Sequence, residues 1–120
     1  MKTLSMMTVL AILLMGACKK SSTSNHQQKI VVVTTIPKST TFQVKVTDKA
    51  TGEQLLSVTG ATSDGTYSVT NESNTDLSVQ YRFITQGQSI GQGTLDITCN
   101  GQSLLHANGG YSDNYTIKVP

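Results

Sequence analysis

The chain has 120 residues, with nine Lys and Arg against seven Asp and Glu, a formal net charge of +2, two Cys and no Trp. That length suits one compact domain and is too short for two. So small a charge excess carries no nucleic-acid signature.

The chain opens on Lys2, an apolar stretch from Val9 to Met15, and the small residues Gly16 and Ala17. These are the three parts of an export signal helix that is removed by cleavage. The apolar run is too short to span a bilayer, which takes about 20 such residues. The run Leu14-Met15-Gly16-Ala17-Cys18 resembles a bacterial lipoprotein signal, with Met15 where that family usually has Leu. The resemblance implies cleavage between Ala17 and Cys18 and acylation of Cys18. The alternative is an ordinary secretory signal with an incidental cysteine. Several acyl chains together, at about 0.8 kcal/mol per buried methylene, hold a protein durably on a membrane. Lys19-Lys20 followed by Ser21-Ser22-Thr23-Ser24-Asn25 is similar to the start of many lipoproteins of the Bacteroidota. Neither the acidic cluster that marks surface export in that group nor an inner-membrane retention aspartate follows Cys18. The resemblance therefore implies an outer-membrane position facing the periplasm. Residues 18–28 are expected to be a lipidated, flexible tether, and residues 29–120 the folded domain.

Within that domain the apolar pattern has a period of two and reads as strands. Ile30-Val31-Val32-Val33 is apolar on both faces before Pro37, which predicts a strand covered on both sides or lying along a sandwich edge. Phe42, Val44 and Val46 alternate with Gln43, Lys45 and Thr47, and the odd positions of 77–83 alternate with polar ones. Tyr115-Thr116-Ile117-Lys118-Val119 closes the chain in the same manner. Turn residues at 48–52, 63–65 and 71–74 separate these runs. Asn100-Gly101 predicts a type I′ hairpin, and its register places Cys99 opposite Gln102, Ile97 opposite Leu104 and Leu95 opposite His106. Gly91 and Gly93 suggest a bulge or bend, and residues 86–93 a polar hairpin.

Seven or eight short strands at this spacing predict an all-β antiparallel β-sandwich of immunoglobulin-like type, with a partly open barrel as the alternative. Val46-Thr47-Asp48-Lys49-Ala50-Thr51-Gly52-Glu53, followed by Ser63-Asp64-Gly65-Thr66-Tyr67-Ser68-Val69, resembles small immunoglobulin-like or prealbumin-like modules of bacterial envelope proteins. The proline that usually follows the TG turn is missing. The resemblance covers about a quarter of the chain and implies the fold class alone.

Chemistry-bearing residues are sparse. A zinc site needs three or four converging ligands, and His26 falls in the tether, leaving His106 alone. Cys99, His106 and Asp113 include the residue types of a thiol nucleophile, base and orienting acid. The hairpin register separates Cys99 from His106 by four residues, roughly 13 Å at about 3.4 Å per residue. Cys99 instead reads as a small apolar side chain beside Leu95 and Ile97. With Cys18 acylated, Cys99 has no disulfide partner. The sequons at Asn71 and Asn114 are chance matches in a bacterial lipoprotein. Lys45 and Lys118 fall on polar faces, which excludes the buried lysine an isopeptide crosslink requires.

Tyr67, Tyr81 and Tyr115 have inward parity, so Tyr111 is the one candidate platform. It stands in a predicted loop with Asn108, Asp113 and Asn114, where loop residues on a rigid scaffold contact partners. The sequence thus predicts no catalysis and no cofactor. It predicts a contact module held on a membrane through its acyl anchor, with an envelope protein as partner; the alternative is capture of a glycan or small solute by the 108–114 loop.

Overall fold

A computed structural model describes residues 26–120. Cys18, the expected signal before it and the expected tether as far as Asn25 lie outside the described residues. Eight strands follow: β1 (Gln27–Thr35), β2 (Thr40–Asp48), β3 (Gln54–Ala61), β4 (Gly65–Glu72), β5 (Asp76–Thr85), β6 (Thr94–Cys99), β7 (Gln102–Asn108) and β8 (Tyr111–Lys118). They form two four-stranded sheets, in the orders β4-β1-β6-β7 and β3-β2-β5-β8, and every pairing is antiparallel. The fold is the expected antiparallel β-sandwich. Among the described residues no strand pair joins the two sheets, which sets the barrel aside.

Alternation builds the core. Phe42, Val44 and Val46 from β2 and Leu77, Val79 and Phe83 from β5 are buried against Ile30, Val32, Leu95 and Ile97 of the opposite sheet. Side chains on one face of each strand interdigitate with the facing sheet, and the other face stays wet.

Three local readings of the sequence are corrected. The strand β1 begins at Gln27, within the expected tether, and is neither an edge nor covered on both faces. It lies between β4 and β6, and Val33 on its outer face is 39% exposed. Its run of β-branched residues suits an inner strand on propensity alone.

The β6–β7 hairpin starts in the expected register, with Cys99 opposite Gln102, then shifts by one residue between Ile97 and Thr98. Ile97 pairs with Leu105, Asp96 with His106 and Leu95 with Ala107. A regular ladder would have turned His106 into the core and Leu105 and Ala107 out to water. Burying an unpartnered imidazole costs more than one interrupted ladder position, so the chain bulges at Leu104. Leu105 and Ala107 are buried, while His106 is exposed and contacts Asp96.

Residues 86–93 are a crossover from β5 in one sheet to β6 in the other, with no hairpin pairing.

At the end of the sandwich where the described chain begins, Asp48 ties one turn to another. Its Oδ1 accepts the Ala50 N–H at 2.9 Å, and its Oδ2 accepts the Asn71 Nδ2–H at 3.1 Å. Asn71 Nδ2 also donates to Thr75 Oγ1 at 2.9 Å, linking the 48–52 turn to the β4–β5 crossover. The Asn71 hydrogen bond, then that from Ala50, hold the Asp48 carboxyl below its ordinary value of 3.8. A depressed carboxyl pKa contributes stability above the unfolded-state value, and that contribution is lost as pH falls through the folded value. Asp48→Asn is therefore expected to lower stability at neutral pH, because an amide nitrogen replaces one acceptor. The gap from wild type should narrow below about pH 4. Thermal melts of both proteins across pH 2–7 check this, and a constant gap would contradict it.

Candidate binding cleft

The inward alternation of β5 continues to Phe83, whose ring lies 4.6 Å from that of Phe42 and 6.3 Å from that of Tyr81. Arg82 and Ile84 consequently point outward. The partner strand β8 begins at Tyr111, opposite Arg82, so β5 runs past it through Ile84 and Thr85. Residues 86–93 fold back over this overhang. Thr85 accepts the Gln88 N–H on its carbonyl at 3.0 Å and the Gln92 N–H on its hydroxyl at 2.7 Å. The same hydroxyl shares a 2.8 Å hydrogen bond with Thr40 of β2.

Two glycines let three backbones meet there. The Gly110 N–H donates to the Gly91 carbonyl at 2.9 Å, and the Phe83 N–H donates to the Gly110 carbonyl at 2.8 Å. A Cβ on Gly91 would overlap the Phe83 carbonyl, and one on Gly109 would overlap the Gly91 carbonyl. Gly109 also has a φ of 68°, a region open to glycine at little cost.

The result is a cleft of about 510 Å³, with Arg82, Ile84, Thr85, Gln88, Ile90 and Tyr111 in its wall. Its size falls within the usual range for ligand pockets. Ile84 is 53% exposed, Ile90 65% and Tyr111 64%. Three large apolar side chains thus stand together in water at one end of the molecule. The Arg82 guanidinium carbon lies 5.0 Å from the centre of the Tyr111 ring, a cation–π contact.

The four residues the sequence placed in one loop are divided. Only Gly109 and Gly110 lie between strands, both at positive φ, and they carry the chain from one sheet to the other. Asn108 ends β7 opposite Thr94, away from the cleft wall. Tyr111 opens β8 and lines the cleft. Asp113 is exposed and shares a shallow neighbouring depression with Arg82 and Gln80. Asn114 is exposed beside the irregularity that separates the Tyr81–Ser112 and Val79–Tyr115 pairs. Tyr67 and Tyr81 are half-buried, as their parity implies. Tyr115 departs from that reading, because it pairs with buried Val79 on an edge strand and stays 41% exposed.

Sequence reasoning missed Arg82, Ile84 and Ile90. The available signal was Ile84, an apolar side chain at a solvent-facing position of an otherwise regular strand.

The thiol, imidazole and carboxylate groups are not gathered. Cys99 is fully buried, and burial pushes its thiol pKa up, away from the reactive thiolate. His106 is on the exposed face of its strand and contacts Asp96, not Asp113. Lys118 pairs with Asp76 at 3.1 Å and Lys45 is exposed. Among the described residues no three His, Cys, Asp or Glu side chains converge as a metal site would require, and no helix is long and apolar enough to cross a membrane. Compared with known protein families, curated proteins and solved structures, the chain finds no match.

Proposed function

We propose that this protein is a non-catalytic, lipid-anchored module of the cell envelope that acts by contact, through the cleft of Arg82, Ile84, Ile90 and Tyr111. The signal-like run ending at Cys18 supports the anchor, with the outer membrane facing the periplasm as its place. The position of the cleft supports its role. His26 hydrogen-bonds to Ser73 beside the start of β5, whereas the cleft lies at the far end of that strand. Ten residues of β5 separate the two ends, roughly 30 Å at about 3.4 Å per residue. An anchor joined at His26 leaves the cleft directed away from the attachment point and open to an envelope protein.

The exposed ring of Tyr111 favours one other reading, capture of a glycan or small solute at the same end of the sandwich.

Two variants separate the parts of this reading. Cys18→Ser is expected to release the protein from membranes and remove the acyl mass. Ile90→Asp is expected to leave anchoring intact and abolish retention of whatever protein copurifies with the acylated wild type. An unmodified, freely soluble wild-type product would sink the anchor, and identical copurifying sets for wild type and Ile90→Asp would sink the cleft.

A further inference from the structure

We propose that the cleft receives a protein segment carrying a carboxylate next to an aliphatic side chain, with the carboxylate on Arg82 and the aliphatic group against Ile84 and Ile90. This rests on the contact-module reading and names the chemistry of the partner. Among the described residues Arg82 is the one formally charged residue in the cleft wall. Among the described residues the ion pairs join His106 with Asp96 and Lys118 with Asp76, and Arg82 enters neither. Stacking on Tyr111 holds the guanidinium in place. A planar, pre-positioned fork suits a carboxylate in bidentate contact. Tyr and Arg set in an apolar surround are also the residue types that dominate protein contacts.

Two alternatives fit the geometry less well. Strand addition along this flank of β5 is closed, because the Phe83 N–H is taken by Gly110 and the Thr85 carbonyl by Gln88. A sugar would have one face of Tyr111 to stack on, the other being taken by Arg82, and the large side chains beside it, Ile84 and Ile90, are aliphatic and offer its hydroxyls no partner. A side chain with an aliphatic body matches those walls by simple apolar burial.

The test uses the full chain, in detergent micelles, and a fluorescein-labelled pentapeptide of sequence Ser-Ile-Asp-Leu-Ser with blocked ends. Its controls are the same peptide with Asn for Asp, the same peptide with Ser for both aliphatic residues, and unlabelled digalacturonic acid as competitor. Anisotropy is expected to saturate with the Asp peptide. Asn for Asp and Arg82→Gln should each weaken binding by about tenfold, the worth of a charge-assisted hydrogen bond. The Asn peptide on Arg82→Gln should lose nothing further, the mark of one shared interaction. The Ser-substituted peptide and Ile90→Ser should each weaken it as well. Equal affinity for the Asp and Asn peptides, indifference to Arg82→Gln, displacement by digalacturonic acid at lower concentration than by unlabelled peptide, or no saturation with any peptide would overturn the proposal. If one of those results appears while Ile90→Asp still loses its copurifying protein, the assignment of partner chemistry falls and the contact reading stands.

Discussion

Gly91→Ala is expected to destabilise the folded domain by about 3 kcal/mol or more, the upper range for overpacking a close contact. The added methyl would meet the carbonyl oxygen of Phe83, main chain that cannot swing aside as a side chain can. Relief requires the 86–93 crossover to lift from β5, which breaks the Gly110–Gly91 hydrogen bond and opens the cleft floor. Stability of an ordinary domain is only about 5–15 kcal/mol, so a large part of the variant is expected to unfold or fail to accumulate. Gly87→Ala is the matched control. It lies on the same crossover at a φ of 78° with open space around its Cβ position, so it should cost about 1–2 kcal/mol of backbone strain alone. Urea denaturation of both variants measures the difference. Equal midpoints would mean that the crossover gives way freely and that Gly91 does not set the shape of the cleft.

Phe42→Ala is expected to cost about 3–5 kcal/mol, the range for deleting a buried aromatic ring. Phe42 is 1% exposed and packs against Phe83 at the centre of the sheet that carries the cleft. Its chain neighbours Thr41 and Gln43 are paired with Ile84 and Arg82 in the regular β2–β5 ladder, so these two central strands cannot collapse into the space left behind. Loss of that contact also frees the Phe83 ring beneath the overhang of β5. The expected outcome is a lowered urea midpoint with an unchanged slope. A cost below about 1 kcal/mol would show that the two sheets close together over the gap, and would contradict the packing argument.

The two variants act through different causes, and that difference marks how far the sequence could be read. Phe42 was legible. Its alternation with Gln43 and Lys45 places it inside any half-buried strand, without knowledge of which strand lies next to it. Gly91 was legible only as an irregularity. Its requirement comes from a carbonyl eight residues earlier in the chain, and nothing in the local pattern states that the crossover returns to lie on Phe83. The 108–114 segment failed as a loop for a related reason. The sequence predicts a loop over the whole segment around Gly109-Gly110, whereas two consecutive residues at positive φ suffice to turn the chain from one sheet to the other.

The β6–β7 hairpin shows the same limit at closer range. Asn100-Gly101 fixed where the turn falls, and Asn100 and Gly101 do adopt φ values of 53° and 79°. The register beyond the first two pairs was set by a competition the turn does not see. Leu104-Leu105 offers two adjacent apolar residues, and only the core decides which is taken in. It takes Leu105, since that choice also buries Ala107 and leaves His106 in water beside Asp96.

By itself, then, the chain's alternation of apolar and polar residues determined the strands, the antiparallel two-layer class and most of the buried face, because a period of two is a local property of the extended backbone. Tertiary structure alone decided strand order, the bulge in β7 and the bringing together of Arg82, Ile84, Ile90 and Tyr111. Those outcomes depend on which backbones lie side by side across the two sheets, and contacts between residues distant in sequence leave no period to read.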